Sequence, residues 1–594
     1  MLAIIPSINP LCISNTPASK TETWAQGHIQ VSAKKYGTES FSLREEAGGK
    51  DAEKENFRTR QGTILAKRPS STTQNQVVKA VEARFLNTSK SWKRFAQESG
   101  TAVIILATPT FAKWLEDDEF IASCLGGLTR PILNAKKARK AAKVTLESGT
   151  IKNFELDVVC ACVDGLSPNV KWIPYAVGHR ASEGFSILQG RTADLLPDLW
   201  DSESSTITKS PTMTASLTFA KPTDSRKTST ETQIVLPLAN TLFSNGRHST
   251  LLVSKWRAWP DSFVKMRTLE KDSQTIHAFD ILRNVPPPSI RVSATPITPA
   301  RRIASGLGNI VKQIDFGEQG WGPASRELET NIDDYLAQTQ REKSTIAVWA
   351  LIVPKDLPKP PPRFNLLDDA DQVKANWQSL LPNPEFIGYW LRRGAKFCRV
   401  LSGGGGWGVK QGLLSLDPQT TFAMIKEARF DFSNGSLEEQ QNSALGTIAE
   451  VDSLIQFFVA NTTTPEAPPP MHPVHGGVWR RTTVIGTVPS TIDDQRMDES
   501  PSSGKDKFIY LSGHFGAVSE SGMFLRILPR KGAATSGDEI KKDPSLHTKI
   551  DLPYSYVYKD MIEERSAIRN TQARGHPAKK PALVDTPLLS EQRR

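Results

Sequence analysis

The sequence predicts an α/β fold, α+β in parts, made of two mixed-sheet domains with disordered termini and Pro/Ser-rich linkers. Three observations carry that expectation. Short apolar runs of strand length alternate with helically spaced segments up to residue 200, β-type runs punctuated by Pro and Gly dominate after residue 231, and Ser/Thr- or Pro-rich stretches separate them. The implied organisation is a disordered region 1–70, an α/β domain 71–200, a Ser/Thr-rich linker 201–230 and a β-rich domain 231–353. A Pro-rich spacer 354–364, a glycine-loop region 365–461 and a polar linker 462–506 follow, then a strand pair 507–560 completing the second domain and a disordered basic tail 561–594.

The first domain opens on a helix from Gln76 to Phe85, with Val77, Val81 and Phe85 on one face, followed by the buried strand Thr101–Ala107. An amphipathic helix starts at Phe111 and is capped near Gly126-Gly127, and the second buried strand is Asp157–Val163. Helix, strand, helix, strand implies parallel or mixed pairing. Cys160 and Cys162 fall on one face of that strand as small buried residues, a soft-metal pair being the alternative. Next, Gln233–Leu238 and Ser249–Trp256 flank Asn245-Gly246, the signature of a hairpin. Val285–Pro299 reads as extended, Arg301–Asn309 as a small glycine turn, Glu327–Gln340 as a helix and Thr345–Val353 as a buried strand. Leu437–Val459 reads as a helix with an apolar stripe of Leu454, Ile455, Phe458 and Val459, and Lys507–Ser512 with Gly522–Leu528 as a closing strand pair around Gly513–Gly516.

At 594 residues with 38% hydrophobic content, part of the chain is expected to lie outside a packed core. The net charge of +11 favours acidic partners. Spread over 594 residues it is mild, as a solvated surface carries. Basic segments are Lys136–Lys143, a solvated face or a phosphate-binding one, and Phe57–Gln97, where Arg58, Arg60, Lys67, Arg68, Lys79, Arg84, Lys90, Lys93 and Arg94 stand against the single acid Glu82. That second stretch has the composition of a mitochondrial transit peptide, with a basic linker plus helix as the alternative. Five irregularly spaced cysteines argue for a reducing compartment, and no apolar run has the length of a membrane span. An intracellular protein is expected, mitochondrial or cytoplasmic.

The most site-like stretch is Leu401–Gly412. Four consecutive glycines, Gly403 to Gly406, cost backbone entropy and are kept where positive φ or close backbone approach is needed. Gly403, Gly405 and Gly408 satisfy G-x-G-x-x-G, and with Asp417-Pro418 opening a helix the order is strand, loop, short apolar run, helix. This defines a candidate anion cradle of Gly403, Gly404, Gly405, Gly406, Trp407 and Gly408 with Lys410 as counter-charge, against the alternative of a turn that lets Trp407 pack. The intervening Val409–Leu416 excludes a dinucleotide fingerprint, and Gly408-Val-Lys-Gln411 is no Walker A loop. Asp315-Phe-Gly317 precedes the glycine run and no His-Arg-Asp loop exists, which excludes a kinase. Cys398 and His514 are the residues around which an enzyme would be built, His472 and His475 a two-imidazole loop, and no motif names a cofactor.

Ala102-Val-Ile-Ile-Leu-Ala-Thr-Pro-Thr110, Val159-Cys-Ala-Cys-Val-Asp-Gly165 and Ser512-Gly-His-Phe-Gly-Ala-Val-Ser-Glu-Ser-Gly-Met-Phe-Leu525 together resemble FIST-type sensory modules. That resemblance implies an N-terminal α/β half, a C-terminal half and small-ligand binding, with Gly513-His514 standing where the family has a Gly-acidic pair. Leu236–Arg247 and Gly403–Asp417 resemble an uncharacterised filamentous-fungal family, which implies a eukaryotic origin and no activity. The function expected is therefore a ligand-binding or scaffold protein whose glycine loop cradles a small anion. The alternatives are an RNA-associated mitochondrial factor using the basic segments, and an enzyme acting near Cys398 or His514.

Overall fold

The computed structural model describes residues 59–85, 100–129, 155–167, 183–201, 214–221, 231–259, 262–279, 287–339, 346–377, 383–403, 412–422, 448–460, 479–489, 507–528 and 546–563. They form a mixed α/β fold with four sheets. The seven-stranded sheet runs Phe508–Ser512, Thr59–Ala66, Gly184–Arg191, Thr101–Ala107, Glu155–Cys162, Leu251–Ala258, Phe263–Glu270. Thr101–Ala107 and Glu155–Cys162 pair in parallel, and every other ladder in this sheet is antiparallel. One face is covered by the helix Gln74–Phe85, through Val77, Val81 and Phe85, and by residues 109–129.

The expected long helix from Phe111 is two pieces. A 3-10 segment, Pro109–Leu115, gives way to a helix over 118–129, because the Asp117 carboxylate accepts the Glu119 and Phe120 amides at 3.0 and 3.2 Å and starts a new helix. Gly126 and Gly127 lie inside that helix rather than at its end.

The opposite face of the seven-stranded sheet shares one core with the other three sheets. Ile104 and Leu188 belong to one cluster with Leu217, Ile234 and Leu525 of the five-stranded sheet, Ile485 and Phe515 of the four-stranded sheet, and Trp349 and Leu351 of the eight-stranded one. Within the eight-stranded sheet, six strands close into a ring: Arg301–Leu307, Ile310–Asp315, Leu414–Leu416, Lys396–Gly403, Val348–Val353 and Leu454–Ala460, the last pairing back to the first. A closed ring of ladders leaves no open strand edge among its members. All six send side chains into one cluster, together with Leu328 and Tyr335 of the helix Ser325–Thr339 and Val373 and Trp377 of the helix Ala370–Trp377.

Several elements differ from the sequence expectation. The segment taken as disordered to residue 70 contains Thr59–Ala66, an internal strand of the large sheet. Of the basic stretch between Phe57 and Gln97, Arg60 lies in that strand and Lys79 and Arg84 in the helix behind it, while Arg58, Lys90, Lys93 and Arg94 lie outside the described residues. The Asn245-Gly246 hairpin does not form: Glu231–Pro237 and Leu251–Ala258 belong to different sheets, and Gly246, at φ 79°, ends the short helix Leu242–Asn245. The Ser/Thr-rich linker holds a strand, Ser216–Phe219. The closing pair is three strands, Phe508–Ser512, His514–Ser519 and Met523–Leu528, each in a different sheet, with Gly513 at φ 72° and Gly522 at φ 88° making the corners. The tail beyond 563, the His472/His475 loop and Lys136–Lys143 lie outside the described residues, and no described helix is long and apolar enough to cross a membrane.

The apolar stripe expected on a helix is instead the strand Leu454–Ala460. A short β-branched and aromatic run satisfies both periods, and pairing with Val348–Val353 over six residues selects the strand. The two conformations place Phe457 differently: outside the helical stripe, but inside the ring cluster here. Phe457→Ala should therefore lower stability by about 3–5 kcal/mol in denaturant unfolding, and a loss below about 1 kcal/mol would contradict the strand.

Candidate anion site

Thr59–Ala66 and Gly184–Arg191 run antiparallel, with Arg60 opposite Gln189 and Gly62 opposite Ile187. Directly opposed residues share a face, and here it is the helix-covered face, because Gln189 also opposes Val103, a member of that core. The Arg60 guanidinium sits 4.8 Å above the Phe85 ring, and the Arg84 guanidinium 5.4 Å above the Tyr510 ring. Phe85 and Tyr510 meet edge to face at 6.1 Å. Glycine at position 62 makes this possible, since a Cβ there would come within 2.7 Å of Tyr510 Oη and 3.0 Å of Phe85 Cζ.

What sets the cluster apart is that two directly opposed residues, Arg60 and Gln189, both leave buried polar atoms unpaired. Gln189 is fully buried, yet neither its amide oxygen nor its amide nitrogen has a hydrogen-bond partner, and the enclosed Nη1 of Arg60 has none either. Burial pushes the Arg60 guanidinium down to about 10, with Tyr510 acting in the opposite direction. It still carries its charge at neutral pH, and no carboxylate among the described residues pairs with it. Tyr510 is raised by burial, against the pull of the Arg60 charge. Among other inward-turned cations, Lys271 Nζ donates to Leu199 O at 3.0 Å and Gln274 Oε1 at 2.8 Å and Arg301 grips Glu327 through two bonds, while Arg291 and Arg392 each leave a buried Nε unpaired.

The glycine loop has a different setting from the one expected. Lys396–Gly403 pairs antiparallel with Leu414–Leu416, so the connection is a hairpin within the ring and not a strand-to-helix turn. Gly404, Gly405, Gly406, Trp407, Gly408 and Lys410 lie outside the described residues. Gly403 ends the strand against Leu414, and Gly412, at φ 82°, packs on Pro323 while its carbonyl accepts the Ser325 amide at 3.2 Å. A groove of about 310 Å³ lined by Pro354, Leu357 and Trp390 carries Arg302 and Lys355 at its rim, but both already share Asp452, at 3.9 and 3.7 Å.

Cys398 lies in the ring cluster, where burial pushes its thiol up to about 12, the reverse of the thiolate a nucleophile needs. Cys160 and Cys162 are buried in the helix-side core, and burial raises both thiols.

His514 is not at a pocket mouth. It is fully buried in the strand His514–Ser519, where Nδ1 meets Thr63 Oγ1 at 2.8 Å and Thr63 Oγ1 meets Ser186 Oγ at 2.9 Å. Ser186 Oγ accepts the Gly516 amide at 3.1 Å, and the lack of a side chain at Gly516 leaves room for the imidazole. Burial lowers His514 to about 4. Asp164, at the end of the parallel pair, accepts the Glu520 amide at 2.9 Å and is raised by burial to about 6.

Compared with known proteins, the chain matches no protein-family model, no curated protein and no solved structure. The arrangement must be read from its own chemistry. Sequence reasoning noticed Arg60 only as part of a basic stretch and missed Gln189. The available signal was a polar Gln189 in phase with the apolar Phe185 and Ile187 of a strand pattern.

His514 and Asp164 bias acid stability in opposite senses. Between pH 4 and 6.5 the unfolded chain protonates His514 and the fold does not, so this contribution is lost as pH falls. Between pH 3.8 and 6 the fold keeps Asp164 protonated while the unfolded chain releases the proton, so that contribution is lost as pH rises. Each is worth on the order of 3 kcal/mol. Asp164→Asn should steepen the loss of stability on acidification from pH 6 to 4.5, read as denaturation midpoints, and a slope equal to wild type would contradict the assignment.

Proposed function

We propose that the protein is a ligand-binding module that takes a small anion at Arg60 and Gln189. The observation carrying this reading is an enclosed, unpartnered guanidinium N–H facing a fully buried, unpartnered amide across one ladder. A buried donor or acceptor left unpaired costs about 1–3 kcal/mol, and a cation without a counter-charge costs more, so folded proteins keep such groups mainly where something else completes them. An oxyanion completes both at once: it accepts from the guanidinium and the amide nitrogen and supplies the missing charge. The Arg60 guanidinium rests over the Phe85 ring, which limits where the fork can reach. The resemblance to FIST-type sensory modules points to small-ligand binding as well. In this proposal the hairpin of Gly403 to Gly408 with Lys410 is the competing place for the same chemistry.

Inorganic phosphate is a suitable probe. At constant ionic strength it should raise the unfolding temperature of the wild-type protein and show saturable binding by calorimetry. Arg60→Met, which keeps the packing on Phe85, should weaken binding by at least about tenfold, as expected for loss of a charged hydrogen bond. Gly404→Val and Gly405→Val should leave binding unchanged. The reverse pattern would move the site to the glycine hairpin, and no saturable binding by the wild type would overturn the reading.

A further inference from the structure

We infer that the ligand at Arg60 and Gln189 carries a hydrogen-bond donor beside its charged oxygens: an oxyanion that keeps an O–H, as in a protonated phosphoryl group or an α-hydroxycarboxylate. The inference rests on the anion-binding reading above and adds a selection rule to it.

The argument comes from counting donors and acceptors. The Arg60 guanidinium only donates. Gln189 contributes two N–H donors and a carbonyl oxygen with two lone pairs, and both ends of the amide are unpartnered in a fully buried side chain. Because both ends are free, the conclusion holds for either orientation of the amide. A bare oxyanion, acceptor at every oxygen, satisfies Arg60 and the Gln189 nitrogen and leaves the Gln189 oxygen buried without a donor. An oxyanion with an adjacent O–H satisfies all three groups. Nearby hydroxyls do not fill the gap: neither end of the Gln189 amide has a partner, and Thr63 and Ser186 bond His514 and Gly516 through the opposite face of the same strands. Other buried glutamines have their donors placed, Gln61 Nε2 on Thr482 O and Gly513 O at 3.1 and 2.9 Å, and Gln456 Nε2 on Thr298 O at 3.0 Å, the last leaving only its Oε1 unpartnered. Gln189 differs in offering a complete, unused donor-and-acceptor edge.

Two pairs of probes test the rule on the wild-type protein by calorimetry at pH 7. Phosphate and sulfate share size and shape, but only phosphate keeps a proton. Lactate and propionate differ by the hydroxyl beside the carboxylate. An orphaned buried acceptor corresponds to about 5- to 150-fold in affinity, so phosphate should exceed sulfate, or lactate exceed propionate, by that margin, and the pair showing the larger ratio identifies the phosphoryl or the hydroxycarboxylate class. Gln189→Leu replaces the unpartnered amide by an apolar side chain of similar size. It should stay folded and bring the ratio close to one. If wild type binds sulfate as tightly as phosphate and propionate as tightly as lactate, the selection rule is wrong while anion binding stands. If none of the four binds, the site holds water only and the anion reading falls with it.

Discussion

Thr59–Ala66 is hydrogen-bonded on both sides, to Gly184–Arg191 and to Phe508–Ser512, so one ladder system ties the start of the described fold to a strand over four hundred residues later. The side chains on its two faces reinforce the same closure. Gln61 donates to the carbonyls of Thr482 and Gly513, and Thr63 holds the His514 ring, all from the four-stranded sheet or its entry. On the other face Gly62 admits Phe85 and Tyr510, which in turn carry the guanidinium groups of Arg60 and Arg84. A strand that must satisfy neighbours on two edges and two faces has little freedom in register. Shifting it by one residue would send Arg60 to the inter-sheet core and Gln61 to the helices.

That constraint also explains the two kinds of buried polar group found along it. Between the sheets, Thr63, Ser186, His514 and Gly516 make a network in which one imidazole nitrogen, two hydroxyls and a backbone amide find partners, and the second imidazole nitrogen, Nε2, does not. Such a network fixes how the seven- and four-stranded sheets face each other, since each member is useful in one alignment alone. Under the helices, Arg60 and Gln189 are equally fixed in place but are not completed. Rigid, incompletely satisfied groups on paired strands are what a preorganised binding site requires.

Much of the secondary structure was legible because period and burial agreed. Val77, Val81 and Phe85 marked a helix face, and Thr101–Ala107 and Val348–Val353 are continuous apolar runs buried throughout. Leu454–Ala460 was not legible, because seven residues are too few to separate a period of two from one of 3.6. The glycine hairpin drew attention through local composition, while Gln189 has no composition to notice. It stands out only once Phe185 and Ile187 are seen on the same buried face.

By itself the sequence determined the fold class, the buried thiols and the main internal strands, since these follow from side-chain polarity repeated over neighbouring residues. Tertiary structure alone decided that residues 508–528 serve three different sheets, that six strands close into a ring, and that Arg60 stands opposite Gln189. Those are pairings between distant segments, and their free energy lies in ladders and contacts that no local stretch of chain contains.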